Sequence, residues 1–360
     1  MSYVLPLGPY HPALEEPVHV KLHTDGELIL DSEVFIGYNH RGIEKLSEKR
    51  NHIQTIALVE RTCGICSHSH AMTYSMGVEN IAGMDVPRRA KYIRTIISEL
   101  ERLHSHYLWL GLAAHVIGFD SLFMMCFASR ERIMNMLELI TGNRVNYSIN
   151  IIGGTRRDID EEQKETLLKM ISELRAEFGG IYNVYAKDSS VKARTVGVGV
   201  LTKEDGLSYG ACGPHGRASG INFDVRKTMP YNCYEEFDFN VAVANDGDVF
   251  SRAVVRLLEV EESCKIIEQA LKNMPEGPLN LGNKIPRVKA GENMVVTEAP
   301  RGEVTYYVVS NGGPTNGRVN IHVPTFKNAM TIPCMMKNNT VADAGLIVAS
   351  IDPCFSCLDR

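Results

Sequence analysis

Residues 61–70 read RTCGICSHSH and residues 352–360 read DPCFSCLDR. Each stretch holds two cysteines that are separated by two other residues, and the four are Cys63, Cys66, Cys354 and Cys357. Two intervening residues let both sulfurs of a pair face one metal ion from a single turn of the chain. The two pairs together indicate a four-thiolate metal site that brings the first stretch against the second.

Three kinds of site have this spacing. Structural zinc is the first; zinc ribbons join their pairs across about 15–20 residues, but the entropy of closing a longer loop grows only slowly with length. A redox metal centre between two parts of the chain is the second, and two independent thiol pairs are the third. The large separation of the pairs in sequence favours the redox centre.

The composition limits the classes of partner and the cellular setting. The chain has 360 residues, of which 44% are hydrophobic and 22% charged, and its formal net charge is -5 with no Lys/Arg-rich block. That pattern argues against nucleic acid or an anionic membrane surface as the main partner. Residues 1–30 show no basic region followed by an apolar stretch, so the nine cysteines are expected to be reduced thiols in the cytoplasm.

The apolar segment 108–128 has nearly the length of a membrane span but carries His115 and Asp120 in its middle. An ionisable residue at the bilayer centre costs about 2.5–3.5 kcal/mol. We therefore predict two buried helices with a break at residues 118–120, and no transmembrane span.

The remaining pattern predicts an α+β chain that is mainly helical and forms one domain over residues 1–360. Alternating residues on both sides of Asp25-Gly26 indicate a β-hairpin over 16–36. Apolar residues at three- and four-residue steps predict long buried core helices. These cover a segment opened by Pro87, then about 121–140, 160–187 with an interruption at Gly179-Gly180, and 247–273. Residues 195–245 are expected to be loops, and a strand-rich C-terminal region is expected to include strands at 304–310 and 319–323.

The motif R-x-C-G-x-C-x-x-x-H, combined with D-P-C-x-x-C, resembles the paired signatures of nickel–iron hydrogenase large subunits. The resemblance implies reversible activation of dihydrogen at a nickel–iron centre whose iron also carries carbon monoxide and cyanide. By the same resemblance the cysteines divide into two terminal nickel ligands and two that bridge nickel and iron: Cys63 and Cys354, then Cys66 and Cys357. If a helix starts here, His70 lies one turn beyond Cys66 and is expected to hydrogen-bond the bridging sulfur of that residue.

Further stretches match this family. The resemblance implies that Arg301, in the stretch EAPRG, hangs over the open metal position and polarises dihydrogen with a planar guanidinium that lysine cannot reproduce. Asp120 and Asp352 match acidic residues that hold this arginine in place. Pro324 and Thr325 match the loop that offers a hydroxyl and a backbone N–H to a cyanide.

The segment HRGIE at 40–44 resembles an element whose glutamate helps to bind a magnesium or iron ion in many family members, which implies Glu44 as a metal ligand. That ion also uses a histidine three residues beyond the last cysteine. Arg360 stands at this position here, and a guanidinium cannot ligate a metal. The sequence departs from the family at this point, where Arg360 itself would supply the positive charge.

The family places a proton-carrying carboxylate near the N-terminus, where Glu15 and Glu16 are adjacent. Side chains alternate across a strand, so Glu16 shares a face with the apolar Val20 and Leu22, whereas Glu15 shares a face with Lys21. We therefore expect Glu16 to look inward and to carry protons for the reaction.

The opening GPYHPALEEP at 8–17 and the stretch GPHGRASG at 213–220 resemble membrane-associated energy-converting hydrogenases and the related quinone-side subunit of respiratory complex I. Complex I subunits lack the four cysteines, so their presence here favours a hydrogenase. The other five cysteines are scattered and are expected to be packing residues: Cys126, Cys212, Cys233, Cys264 and Cys334. The resemblance thus implies a partner small subunit with an iron–sulfur cluster, ferredoxin as electron donor and membrane ion-translocating subunits. The chain itself is expected to be a peripheral subunit at the cytoplasmic face of the membrane.

Three functions stay open at this point. The first is ferredoxin-linked proton reduction in a membrane complex. The second is the same catalytic subunit coupled to carbon monoxide or formate oxidation, or to hydrogen sensing. The third is a non-catalytic scaffold with structural zinc, which metal content separates from the other two because they hold nickel and iron.

Overall fold

The N-terminal part of the chain forms a three-stranded antiparallel sheet. The computed structural model describes residues 2–12, 14, 16–282 and 288–360, and its first strands are β1 (Ser2–Leu7), β2 (His19–Asp25) and β3 (Leu28–Phe35). Val20 and Leu22 of the central strand β2 are buried. Gly26 turns the hairpin with a φ of 59°, a conformation that costs glycine little. The predicted hairpin is confirmed, whereas the sequence pattern does not predict β1, which pairs with the other edge of β2.

The segment from 43 to 273 is mostly helical. Its elements are α1 (Ile43–Glu48), α2 (His52–Glu60), α3 (Ser67–Ala82), α4 (Arg88–Val116), α5 (Asp120–Thr141), β4 (Asn150–Ile151), β5 (Gly154–Thr155), α6 (Glu161–Lys187), α7 (Ser189–Thr195), α8 (Lys203–Tyr209), α9 (Gly213–Ala218), α10 (Val225–Thr228) and α11 (Val249–Asn273). The predicted helix opened by Pro87 corresponds to α4. Those at 121–140 and 247–273 correspond to α5 and α11, so all three predictions are confirmed.

Helix α4 is the centre of the helical core. Its side chains Ile93, Ile96, Leu100 and Tyr107 are fully buried, and it packs against α5 and α11. The apolar segment 108–128 divides between α4 and α5, as predicted. Among the described residues, no helix combines the length and the apolar character that a membrane span requires.

Helix α6 runs without interruption through Gly179 and Gly180, where we expect a break from the sequence. Each glycine costs a helix about 1 kcal/mol relative to alanine. Phe178 and Ile181, on either side of the glycines, are buried in the helical core. The prediction of an interruption is wrong because tertiary packing of this kind outweighs local helix propensity.

Residues 195–245 contain the short helices α8, α9 and α10, so the expectation of loops alone is wrong. Thr202 accepts a hydrogen bond from the N–H of Asp205 at 3.1 Å at the start of α8. Asp224 caps α10 by accepting the N–H of Arg226 at 2.9 Å. These caps have a sequence signal, but helices of seven residues or fewer show too little periodicity to be recognised.

The C-terminal part combines a second antiparallel sheet with short helices. Its elements are β6 (Ala290–Ala299), β7 (Gly302–Asn311), β8 (Asn316–His322), α12 (Pro324–Ala329), α13 (Ile332–Met336), α14 (Ala344–Ser350) and α15 (Phe355–Asp359). Strand β7 contains the predicted strand 304–310, and β8 covers the predicted strand 319–323 except for Val323, which directly precedes α12. Val304, Tyr306 and Val308 of the central strand β7 are buried, and the sheet packs on α3. The predicted fold class, α+β and mainly helical, is confirmed.

Candidate metal centre

The four predicted cysteines meet at the N-terminal ends of two helices, since Cys66 directly precedes α3 and Cys354 directly precedes α15. The Sγ–Sγ distances are 3.3 Å for Cys63 to Cys354, 3.2 Å for Cys66 to Cys357 and 3.0 Å for Cys354 to Cys357. All four sulfurs lie within 4.8 Å of one another in buried positions. Within the part of the chain that the structure describes, no other set of Cys, His, Asp or Glu side chains has this geometry.

A carboxylate from α4 holds the start of α3. Glu101 accepts the N–H of His68 on Oε1 at 2.7 Å and the N–H of Ser69 on Oε2 at 3.0 Å, and the Ser69 hydroxyl also donates to it. The amides of the first helical turn have no partner inside the helix. Burial raises the pKa of Glu101 to about 8. Through these three hydrogen bonds Glu101 fixes the start of α3, the helix end that carries Cys66 and His70.

His70 contacts the sulfur of Cys357 rather than that of Cys66. Its Nε2 lies 3.2 Å from Cys357 Sγ, and its Nδ1 lies 2.7 Å from the hydroxyl of Tyr306. Burial lowers the pKa of His70 to about 4, so the imidazole is neutral. A metal-bound thiolate at Cys357 could only accept, so Nε2 would then carry the hydrogen and Nδ1 would accept from Tyr306. The expected partner Cys66 is wrong because the first turn of α3 carries the ring across to the opposite cysteine pair.

Arg301 lies in the two-residue turn between β6 and β7, where Ala299 pairs with Gly302. Gly213, at the start of α9, packs directly on this turn. A Cβ at Gly213 would lie 2.3 Å from the carbonyl oxygen of Arg301, so any larger residue would displace the turn. The stretch GPHG therefore helps to set the position of the arginine.

Asp352 holds the buried guanidinium of Arg301. The Nη2 of Arg301 lies 2.7 Å from Asp352 Oδ1, and its Nε donates to the Asp352 carbonyl oxygen at 2.9 Å. Although burial acts against it, the Asp352 carboxylate raises the pKa of Arg301 well above its usual value. Arg301 Nη1 is buried and finds no hydrogen-bond partner among the described residues. The contact expected between Asp352 and Arg301 is present.

Asp120 does not contact Arg301. Its side chain is 76% exposed, and its carboxylate lies 2.8 Å from Nδ1 of His115. It is the first residue of α5, where a negative charge interacts favourably with the helix N-terminus. The expectation that Asp120 holds the arginine is therefore wrong.

A small cavity of about 10 Å³, roughly the room that one water molecule needs, adjoins the cysteines. Its wall contains Arg301, His70, Pro324 and Thr325 together with Cys66, Cys354 and Cys357. Thr325 Oγ1 accepts the N–H of Cys354 at 3.0 Å, and this bond does not use the hydroxyl hydrogen of Thr325. The structure thus brings the predicted loop and the predicted arginine to one cavity beside the sulfurs.

Glu16 contacts the first turn of α15, between the two C-terminal cysteines. Its Oε2 accepts the N–H of Ser356 at 3.0 Å, and its Oε1 accepts the Ser356 hydroxyl at 2.6 Å. Strand alternation does not explain this inward position, because β2 begins only at His19. The comparison with Glu15 cannot be made, since Glu15 lies outside the described residues.

Glu44 pairs with Arg318 and Arg360. Arginine side chains thus pair with both carboxylate oxygens of Glu44. This arrangement does not fit the expected role of Glu44 as a metal ligand. Within the described ranges, Glu44 belongs to no group of ligand atoms close enough to share an ion.

A buried ionic cluster lies behind the Arg301 turn and consists of Glu99, Arg102, Arg217, Asp224, Arg226, Glu259 and Glu298. Arg217 pairs with Glu259 at 2.7 Å and with Glu298 at 2.8 Å, and burial raises the pKa of Glu298 to about 7. The cluster connects β6 to α4, α9 and α11, and so supports the turn that carries the arginine.

The other five cysteines do not join the metal site. Cys126, Cys233 and Cys264 lie in the helical core. Burial raises the pKa of Cys126 and of Cys233 to about 12, as in unreactive structural thiols. Packing is the role that these positions show.

Sequence reasoning misses three side chains of the site: Glu101, Tyr306 and Ser356. Tyr306 has a readable signal, since it shares the buried face of an alternating strand with Val304 and Val308. Glu101 follows Ile97 by one helical turn, and an acid next to an apolar stripe is a weaker signal. Ser356 has none beyond its place inside a C-x2-C motif.

Two family models match different parts of the chain. One is described as "Nickel-dependent hydrogenase" and matches residues 41–114, which include the first cysteine pair. The other is described as "Respiratory-chain NADH dehydrogenase, 49 Kd subunit" and matches residues 116–287 and 280–360, more than half of the chain.

Individual proteins are similar over the whole chain. The carbon monoxide-induced hydrogenase of Rhodospirillum rubrum is 42% identical over 360 residues, which cover 100% of this chain and 99% of that protein. The membrane-bound hydrogenase subunit alpha of Pyrococcus furiosus is also 42% identical, over 99% of this chain and 87% of that protein. A solved chain of the membrane-bound sulfane sulfur reductase, an archaeal respiratory membrane complex, matches with a TM-score of 0.95. Its sequence identity is 33%, and the match covers 100% of this chain and 98% of that one.

Proposed function

Because the chain belongs to the nickel–iron hydrogenase large subunits of the energy-converting membrane-associated branch, related to the quinone-side subunit of complex I, we propose that it activates dihydrogen reversibly. The observation that carries the proposal is the buried quartet of thiols. Fold alone does not decide the reaction, since a chain of very similar structure belongs to a sulfane sulfur reductase. Four soft ligands at one point fit a thiolate-bound metal, and the similarity to hydrogenases favours nickel and iron over zinc.

The residues at the site fit this metal group. Arg301, which lines the adjoining cavity, keeps a buried Nη1 that no described residue engages. In the proposal Cys63, Cys66, Cys354 and Cys357 would hold the group. When bound, the group supplies Lewis acidity and electron storage for splitting or forming dihydrogen.

The side chains around the cavity provide fixed charge and hydrogen bonds. Asp352 holds Nε and Nη2 of Arg301, so the remaining Nη1 is available to polarise substrate and to bind one cyanide. Thr325 offers its hydroxyl hydrogen to a second cyanide. Neutral His70 donates to the Cys357 sulfur and so lowers the electron density that this ligand places on the metals.

Glu16 is the proposed proton carrier. Splitting of dihydrogen releases a proton inside a buried site, and a carboxylate within hydrogen-bond reach can accept it. The Glu16 carboxylate binds Ser356, which lies between Cys354 and Cys357. Because Glu16 is only partly buried, it can pass the proton on to solvent.

We assign the chain to a membrane complex as its peripheral catalytic subunit at the cytoplasmic face. In this assignment, electrons from ferredoxin reach the site through a small subunit with an iron–sulfur cluster, and turnover is coupled to membrane ion-translocating subunits. The similarity to a membrane-bound hydrogenase subunit and to a chain of a respiratory membrane complex supports it. Within the described residues, the five cysteines outside the quartet form no cluster site.

Coupling to carbon monoxide oxidation is the second candidate. The carbon monoxide-induced hydrogenase of R. rubrum is similar over essentially its full length. The catalytic centre would be the same, and only the electron source would differ. Hydrogen evolution by the purified complex with reduced ferredoxin, compared with carbon monoxide and its dehydrogenase as the only electron source, separates the two candidates.

Metal analysis and infrared spectroscopy test the proposal as a whole. We expect one nickel and one iron per chain, and infrared bands from metal-bound carbon monoxide and cyanide. One zinc per chain without such bands would instead establish the structural scaffold.

A further inference from the structure

The carboxylate of Glu44 binds two arginines that come from different parts of the chain. Its Oε1 accepts from Arg360 Nε at 2.8 Å and from the N–H of Ile321 at 3.0 Å, and its Oε2 accepts from Arg318 Nη2 at 2.8 Å. Glu44 stands in α1, Arg318 in β8, and Arg360 three residues beyond Cys357. One carboxylate thus connects three parts of the chain around the cysteine site.

The surroundings of Glu44 already balance its charge. Among the described residues, this pocket brings together the cations Lys45, Arg318 and Arg360 and the carboxylates Glu44 and Asp359, and Glu48 binds Arg318 beside it. Glu48 pairs with Lys45 and Arg318. Asp359 accepts the backbone N–H groups of residues 37 and 39 at 3.0 and 2.9 Å. All three carboxylates are therefore engaged, and an added divalent ion would compete with these existing partners.

We infer that the guanidinium of Arg360 replaces the divalent cation that the family places beside Glu44, and that this chain binds no such ion there. A guanidinium is permanently charged and has no lone pair to offer a metal. A divalent ion at Glu44 would meet Arg318 and Arg360 across the same two oxygens, and the like charges would repel one another.

The replacement makes Arg360 a positioning residue for Cys357. Its Nη1 donates to the carbonyl of Leu358 at 2.7 Å while its Nε binds Glu44. The end of α15, which directly follows Cys357, is thereby attached to α1 through the side chains of Arg360 and Glu44. A permanent cation of this kind cannot be removed by a chelator.

The first test compares the purified complex with its Glu44→Gln variant, before and after dialysis against EDTA. We expect equal magnesium, manganese and iron contents in the two proteins, and a Tm of the wild-type protein that chelation shifts by less than about 1 °C. Glu44→Gln should lower the Tm equally with and without EDTA. A divalent ion that is present in the wild-type protein and missing from Glu44→Gln would overturn the inference.

The second test restores the missing ligand. Arg360→His should gain one Mn²⁺ per chain, seen by electron paramagnetic resonance, and saturating Mn²⁺ should raise its Tm by about 3–5 °C. Arg360→Lys is the matched control, which keeps the charge and should keep chelator-independent stability without Mn²⁺ binding. Arg360→Ala should lose stability that no added metal restores. No Mn²⁺ uptake by Arg360→His, or Mn²⁺ uptake by the wild-type protein at Glu44, would show that the guanidinium does not stand in for a cation.

Discussion

In the proposed centre each sulfur of the quartet would supply a soft ligand that a hydroxyl cannot replace. Replacement of any one by serine, for example Cys354→Ser, should therefore remove nickel and hydrogen activity together. Cys126→Ala and Cys264→Ala are matched controls, because these thiols are buried in the helical core away from the site. Nickel content and hydrogen evolution are the measurements. A Cys354→Ser protein with full nickel and normal turnover would contradict the assignment of the site.

Arg301→Lys tests the role of the planar guanidinium. Arg301 uses two different nitrogens for the carboxylate and the carbonyl of Asp352 and leaves a third at the cavity, whereas lysine carries its donors on one nitrogen and cannot reproduce this planar fork. We expect nickel and iron to stay bound while turnover falls by about two to three orders of magnitude, as on loss of one preorganised electrostatic group. Undiminished hydrogen evolution would show that the arginine is only structural.

Glu16→Gln tests the proton carrier. The amide keeps the shape of the side chain but cannot take up a proton. Hydrogen turnover and hydrogen–deuterium exchange with solvent should collapse, whereas the infrared bands and conversion between para- and ortho-hydrogen should survive. Glu15→Gln is the control and should have little effect. Fast solvent exchange in the Glu16 variant, or a larger defect at Glu15, would overturn the assignment.

At the scale of elements, the start of α3 depends on the protonation of Glu101. The pKa of this carboxyl is about 8 in the folded chain, against an ordinary value of 4.5. A pKa that is raised in the folded state contributes stability that is present below pH 4.5 and is lost as the pH rises to about 8. Glutamine resembles the neutral acid, so Glu101→Gln should remove this contribution to the change of the free energy of unfolding with pH. Denaturant titrations between pH 5 and pH 8 measure it, and equal slopes in the two proteins would contradict this account.

The long elements could be predicted from the sequence because their patterns are local. Helix α4 shows its apolar positions over 29 residues, and the β2–β3 hairpin shows strict alternation around Asp25-Gly26. Continuity of α6 through Gly179 depends on core packing that no local pattern contains. The same holds for the site: the cysteine spacing is local, whereas the contact of His70 with Cys357 depends on how α3 meets α15. For Asp120 the sequence match was misleading. An acidic residue stands at the position that the family resemblance indicates, but it lies at the surface, at the start of α5, and does not contact Arg301.

At the scale of the whole molecule, the quartet lies in a hydrophobic cluster that is separate from the helical core. This cluster combines residues of the two three-stranded sheets, α3 and the C-terminal helices with all four cysteines. Helix α4 supports it from outside, since Trp109 Nε1 donates to the carbonyl of Ala349 at 2.8 Å. The metal would therefore join residues 61–70 to residues 352–360, two segments that otherwise share mainly packing contacts.

Loss of the metal should accordingly loosen one part of the protein and leave the rest unchanged. Metal binding stabilises the folded arrangement of its ligands. In the metal-free protein, backbone amides of residues 352–360 should exchange with deuterium faster, while those of α4 keep their protection. Mass spectrometry of the metal-loaded and metal-free proteins measures both segments. Equal exchange at 352–360 would mean that packing alone fixes the second cysteine pair.

The position of the two cysteine pairs also sets an order of events during synthesis on the ribosome. Cys63 and Cys66 leave the ribosome long before Cys354 and Cys357, since most of the chain separates them. At translation rates of about 5–20 residues per second, the interval is on the order of 15–60 s. For that time the first two thiols form an open half-site on a nascent chain whose helices can already fold. We expect the first cysteine pair to be accessible for metal delivery, and exposed to oxidation, during this interval. The site closes only when residues 352–360 have been synthesised and have docked against the first pair.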